Sequence, residues 1–258
     1  MNTFKRLLSL SLALGLGACG GSSGGSSSPS PPVVPPPPAN VLPGGHWVGT
    51  VTNDFSAVTE DYIAMVDENG RFRFVSVDSA VQMTGDLSTV GNDLDGVGTA
   101  FADSGVVWLD GSSATALSIL GTITSRDEMS GMWTNASGES GTFAFTYDGT
   151  FYERASPVGL LEGSWTAYDD FGNPLTTFTI AADGSFTGGN AAGCNSAGQF
   201  SEIDADYNLY DVQSTVANCP LAGDYTGFAF LVDLAQPNDA FVFATDNGMR
   251  AGVLGFQK

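Results

Sequence analysis

Between Gly44 and Lys258 the chain is cut, roughly every eight to twelve residues, by Gly, Asn or Asp, and the pieces between the cuts are β-forming. Tyr62-Ile63-Ala64-Met65-Val66, Phe72-Arg73-Phe74-Val75, Thr142-Phe143-Ala144-Phe145 and Phe178-Thr179-Ile180 are such pieces. Asn69-Gly70 and Asp183-Gly184 read as two-residue hairpin turns, because both central positions of that turn require positive φ. No segment carries a convincing amphipathic helical period for three turns. Many short strands at even spacing point to an all-β antiparallel fold, a sandwich or a barrel.

The chain also repeats itself. Gly45-His46-Trp47 opens one half and Gly163-Ser164-Trp165 the other, 118 residues apart. An apolar strand, an Asn-Gly or Asp-Gly turn and then Arg-Phe or Ser-Phe follow each Trp. Gly85-Asp86-Leu87-Ser88 aligns with Gly198-Gln199-Phe200-Ser201, and both halves end on Gly-containing aromatic strands. Pro157 and Gly159 mark a boundary, which gives domains over 44–157 and 158–258. At strands of about five to six residues, each half suits an eight-stranded up-and-down meander. Closing that meander into a barrel removes its exposed edges.

A Gly-x-Trp on the first strand followed by such a meander resembles the lipocalin and calycin barrels. The resemblance implies two small barrels in tandem, with Trp47 and Trp165 plugging their closed ends. It also implies an Arg from the last strand over the Trp, a place that Arg250 takes in the second half. No equivalent Arg stands in the first half, where Arg154 lies past the last strand. The parity of Phe178, Ile180 and Phe186, of Phe228 and Phe230, and of Phe241 and Phe243 is that of an interior face. An eight-stranded barrel is just wide enough for side chains to fill or for one small ligand. With 17 Phe and 34 Gly in the chain, filled interiors are the expectation.

The amino terminus sets the expected location. Lys5 and Arg6 precede a ten-residue apolar stretch, Leu7–Leu16, too short for the ~20 residues of a membrane span. Leu16-Gly17-Ala18-Cys19 then resembles the lipobox of bacterial lipoproteins; an ordinary signal peptide with a chance Cys is the other reading. The resemblance implies removal of residues 1–18, diacylglycerol on the Cys19 thiol and an acylated new amino group (palmitate is the expected label). Gly20 and Gly21, in place of an Asp, imply the outer membrane, with either the periplasmic face or the cell surface left open. Residues 19–43 are the lipidated Cys and a linker of Gly, Ser and Pro, including Pro35 to Pro38, whose composition favours disorder. Tandem barrels on such a tether are similar in architecture to Gram-negative surface lipoproteins that bind transferrin, haem carriers or complement regulators.

Charge and cysteine narrow the partners. Removing residues 1–18 takes two of eight basic residues and none of 28 acidic ones, leaving six against 28 and a net charge of −22. A field of that sign argues against nucleic acid and anionic lipid surfaces. Cys194 and Cys219 remain in an exported chain, where a disulfide is favoured over free thiols. Closing that loop is worth about 3 kcal/mol in the chain-entropy model.

Chemistry is sparse. His46 is the only histidine, beside Trp47 at a strand start, and no Gly-x-Ser-x-Gly elbow accompanies it. A strand-end His with a satisfied hydrogen bond is the expectation, so no catalytic residue is assigned. One His cannot anchor zinc. Asn92, Asp93 and Asp95, and separately Asp204 and Asp206, group oxygen ligands as calcium favours, but without the Gly and terminal Glu of an EF-hand loop. The acid pairs Glu60-Asp61, Asp67-Glu68 and Asp169-Asp170 face opposite sides of a strand or lie in turns. Asn135-Ala136-Ser137 matches a glycosylation sequon, a coincidence in a bacterial chain. No metal and no cofactor is expected. The functional expectation is a non-catalytic binding or accessory module for a protein partner; a carrier of a small lipophile in a barrel calyx, a structural envelope protein and, last, an enzyme are the alternatives.

Overall fold

The computed structural model describes residues 40–258, so the signal segment, Cys19 and the linker up to residue 39 lie outside the described residues. Sixteen strands make two closed antiparallel barrels in tandem. The first holds β1 (Gly45–Asn53), β2 (Val58–Val66), β3 (Arg71–Ser76), β4 (Gln82–Val90), β5 (Asp93–Phe101), β6 (Ala114–Ile123), β7 (Glu128–Asn135) and β8 (Ser140–Tyr147). A one-turn helix α1 (Gly149–Tyr152) and a 3-10 turn (Val158–Leu161) lead to the second. That barrel holds β9 (Gly163–Tyr168), β10 (Pro174–Ile180), β11 (Ser185–Gly189), β12 (Asn195–Glu202), β13 (Tyr210–Ala217), β14 (Gly223–Val232), β15 (Ala240–Asp246) and β16 (Ala251–Gln257).

Each strand pairs with its neighbours in sequence, and the first and last strand of each set close the cylinder. Gly70 and Gly184 hold the equivalent hairpin turns at φ +89° and +83°. Their carbonyls accept from Leu87 N (2.7 Å) and Phe200 N (2.9 Å), which fixes the two repeats in the same internal register. A Cβ on either glycine lies 2.2 or 2.3 Å from that partner's carbonyl oxygen, so no side chain fits.

Trp47 and Trp165 are fully buried at matching places. Trp47 Nε1 donates to Pro43 O at 3.1 Å and Trp165 Nε1 to Leu161 O at 2.7 Å, each four residues upstream. The segment entering each barrel is thereby tied beneath its closed end. Asn40–Pro43, at the end of the Pro-rich composition, belongs to this cap: Val41 N donates to Gly91 O, and Thr89 Oγ1 to Val41 O.

The cation over Trp165 differs from the expected one. Lys258 Nζ stands 4.6 Å from the ring centroid. Arg250 precedes β16, in the β15–β16 turn at the other end, where its Nη1 reaches Pro220 O at 3.4 Å. Antiparallel pairing with β9 puts the last residues of β16 at the Trp end and its first residues far from it, so Lys258 and not Arg250 reaches the ring.

A third apolar cluster joins the barrels side by side. Outward residues of β2 and β3 (Ile63, Met65, Val75) meet outward residues of β14 and β15 (Phe228, Phe230, Val232, Val242). Phe228 and Phe230 therefore face barrel 1 rather than their own barrel's interior, which Phe241 and Phe243 do fill. β14 is buried on both faces, so its apolar residues stop alternating and parity loses its meaning. Arg73 crosses this seam almost without exposure, bonding Asp246 Oδ2 (2.5 Å), Gln82 Oε1 (2.9 Å) and Thr226 O (3.2 Å). Burial pulls its pKa below the ordinary arginine value, and the Asp246 charge opposes that pull. Arg71 bridges Asp67 and Asp211, and Arg154 pairs with Asp233.

Candidate functional site: the loop end of the two barrels

In an up-and-down barrel, odd-numbered connections lie at one end and even-numbered ones at the other. Contacts between the barrels show that the two sets of odd loops point the same way. Ser113, in the β5–β6 loop, has its hydroxyl 3.4 Å from Met249 O in the β15–β16 turn. At the opposite end Arg126, in the β6–β7 turn, donates to Tyr207 in the β12–β13 connection, and Arg154 pairs with Asp233 after β14. The chain enters at that second, Trp-capped end through Asn40.

The odd loops carry exposed apolar side chains. Phe55 follows β1, Val106, Val107 and Leu109 follow β5, Phe171 follows β9, Leu221 follows β13 and Met249 follows β15. Phe171, at 90% exposure, stands on a turn held by Asp169, whose carboxylate accepts from Phe171 N, Asn173 N and the Asn173 amide. Those bonds hold the Asp169 pKa below the usual carboxylate value. The turn thus presents a ring to solvent on a fixed backbone rather than on a loose one.

The barrel interiors at this end differ. In barrel 1 the β5–β6 loop folds Trp108 back into the mouth, with Nε1 donating to Ala100 O at 3.1 Å. With Trp133, Met83 and Tyr62 beneath it, a hollow of only about 110 Å³ remains. In barrel 2 the matching layer is small and hydroxylated (Thr176, Ser196, Ser214, Thr245), and a cavity of about 370 Å³ opens above Phe178 and Phe243. The interior is therefore filled in barrel 1, as expected, and in barrel 2 only in its lower half. The Cys194–Cys219 disulfide joins the β11–β12 and β13–β14 loops across this mouth. Tyr225 OH donates to Leu221 O at 2.8 Å and steadies the second of those loops. Between the barrels a groove of about 630 Å³ runs to the same end, with Asp78, Asp103, Asp169 and Asp170 on its walls.

His46 lies elsewhere and differs from its expectation. It is buried where the barrels meet, with its ring 4.4 Å from Phe151 and 5.3 Å from Phe230. Neither ring nitrogen has a hydrogen-bond partner; the nearest carboxylate oxygen, on Asp148, is 4.0 Å away. Burial pushes its pKa down to about 3, so it holds no proton at neutral pH. No serine reaches it. Among the described residues no group of three His, Cys, Asp or Glu side chains is arranged to hold a metal. Asp204 instead accepts from Asp206 N within its turn, Asp67 is buried as the acceptor for Arg71, and Asn135 accepts from Ser137 and Glu139 N.

A scan against protein families finds no match for this chain, and a comparison with curated proteins finds none either.

Proposed function

We propose that this protein is a non-catalytic binding module, anchored to the bacterial outer membrane through lipid on Cys19, that recognises a protein partner with the shared loop end of its barrels. One observation carries the reading: both barrels turn their odd loops the same way, and those loops expose Phe55, Val106, Val107, Leu109, Phe171, Leu221 and Met249. Apolar side chains gathered on one end, among acidic neighbours, are the usual mark of a recognition face. Asn40 lies at the other end, so lipid on Cys19 would leave that face directed away from the membrane.

The test is a photo-crosslinking residue placed on whole cells. At Val107 or Phe171 it should give discrete adducts; at Leu120, exposed on the wall of β6, it should give none. Equal adducts at all three, or none at the loops, overturn the reading. The tether is tested separately, by incorporation of labelled palmitate and its loss in Cys19→Ser.

The cavity of about 370 Å³ favours a second reading, a small apolar ligand held in barrel 2. Mass spectrometry of the full chain under native conditions should then find a co-purifying lipophile, and Ser214→Phe should expel it.

A further inference from the structure

We infer that the Ala251–Leu254 edge of β16 accepts an extended strand of the partner, one whose side chains alternate apolar and basic. This rests on the protein-binding reading and names its mode. β16 pairs with β15 over all seven residues, Ala251 to Gln257. Its other edge pairs with β9 only at Phe256–Ala167 and Gln257–Thr166. β9 ends at Tyr168 and turns away through Asp169–Asn173, and β10 starts with a register break between Pro174 and Thr176. Among the described residues the Ala251–Leu254 backbone thus has no strand partner on that side. In barrel 1 the equivalent seam is sealed by seven pairs, Trp47–Tyr147 through Asn53–Gly141. An unpaired strand edge is a template for a further strand.

Space and chemistry on both sides agree. A Cβ built on Gly252 meets nothing within 4 Å, so the cavity face of the strand is open beside the unpaired edge. Leu175, Val253 and Leu254 line both the barrel cavity and the groove between the barrels, so the edge separates the two hollows. Successive side chains of an added strand point to opposite faces. One parity enters the barrel 2 cavity, over Phe178, Phe243 and Leu254. The other enters the groove, whose walls carry Asp103 and Asp169 and no basic side chain. Apolar residues suit the first and Lys or Arg the second, which fixes the pattern of the occupant.

The experiment uses the full chain carrying Cys19→Ser and, as probe, a capped Lys-Val-Lys-Val-Lys-Val peptide. Amide hydrogen exchange at Ala251–Leu254 should slow when the probe is added. Methylating the backbone nitrogens of one alternate set should cost about tenfold in affinity and of the other set little, because only one set faces β16. The Glu-Val counterpart should not bind. Gly252→Trp should fill the cavity face that the apolar parity of the probe needs, leave the melting temperature unchanged and abolish the protection. Equal binding by both methylated forms, or protection away from β16, overturns the inference. Loop-end adducts at Val107 and Phe171 that persist in that case leave the broader reading standing; their absence in the unaltered protein removes that reading itself.

Discussion

The two barrels share a strand count, a Trp-capped end and a register-setting hairpin, yet they are closed by different means. Barrel 1 is sealed by backbone: seven pairs join β1 to β8, and Trp108 stoppers the mouth. Barrel 2 has two pairs at its seam, no stopper and a hollow upper half. It compensates with a covalent clamp, Cys194–Cys219, and with a wall of Phe228, Phe230 and Val242 pressed against its neighbour. Closure of the sheet and filling of the interior therefore weaken together in barrel 2. A repeat can give up part of both once a covalent clamp and a packed outer wall bear the load. The barrel with the weaker seam is also the one that offers a cavity and an open edge.

Trp108→Ala should have the largest effect, because it removes the stopper that distinguishes barrel 1. Truncating a buried Trp costs about 3–5 kcal/mol, part of it for the void left behind. Denaturant titration should show that loss, and a hydrophobic dye should gain a second site that the wild type lacks. A change under about 1 kcal/mol with no new dye binding shows that the mouth was never plugged.

Removing the clamp should strike the other barrel. Cys194→Ser with Cys219→Ser is expected to cost about 3 kcal/mol by the loop-closure argument. Trp165 is the only one of four Trp in barrel 2. Fluorotryptophan NMR should therefore show the Trp165 signal broadening or shifting in reduced protein while those of Trp47, Trp108 and Trp133 hold. Uniform loss across all four means that the barrels unfold as one unit and the clamp is not local.

Much of this plan was legible in the residues. Asn69-Gly70 and Asp183-Gly184 do make the hairpins, the paired Gly-x-Trp segments do open two eight-stranded barrels, and the two cysteines do bond. What failed failed for physical reasons. Phe228 and Phe230 looked inward because β14 is apolar on both parities, and only the partner wall decides which face is which. Trp108 sits in a loop without periodicity, so nothing local says that it folds back into the barrel. The common direction of the loops depends on how the barrels dock, and the open edge on where β9 stops, neither of which a residue pattern encodes.

The docking surface itself has a pH signature. His46 of barrel 1 lies against Phe230 of barrel 2, with a folded pKa near 3 against an ordinary 6.5. The folded state thus binds fewer protons than the unfolded chain, so stability is intact above pH 6.5 and falls as pH drops toward 3. The slope is about 1.4 kcal/mol per unit, or about 2 kcal/mol lost at pH 5. Urea titrations at pH 7, 6 and 5 should show this slope in wild type. It should be shallower by that amount in His46→Phe, which keeps the ring contacts and removes the proton. Parallel slopes in the two proteins place the imidazole in contact with water.

The smallest expected effect separates the cation found over Trp165 from the one that the family resemblance implied. Lys258 is held at the closed end by its own backbone, whose N–H donates to Asp239 O at 3.1 Å, and its ammonium lies over the indole. A cation at such an exposed site contributes about 0.5–1 kcal/mol. Lys258→Ala should lower the stability of barrel 2 by that much and shift Trp165 emission. Arg250→Ala, at the opposite end, should leave both within error. Barrel 1 provides the internal control, because Trp47 packs edge-on against Tyr147 at 5.2 Å and should not respond to either change. The reverse order, with Arg250→Ala the costlier and Trp165 the reporter, means that β16 runs in a different register against β15 from the one described. The open edge at Ala251–Leu254 would then move with it.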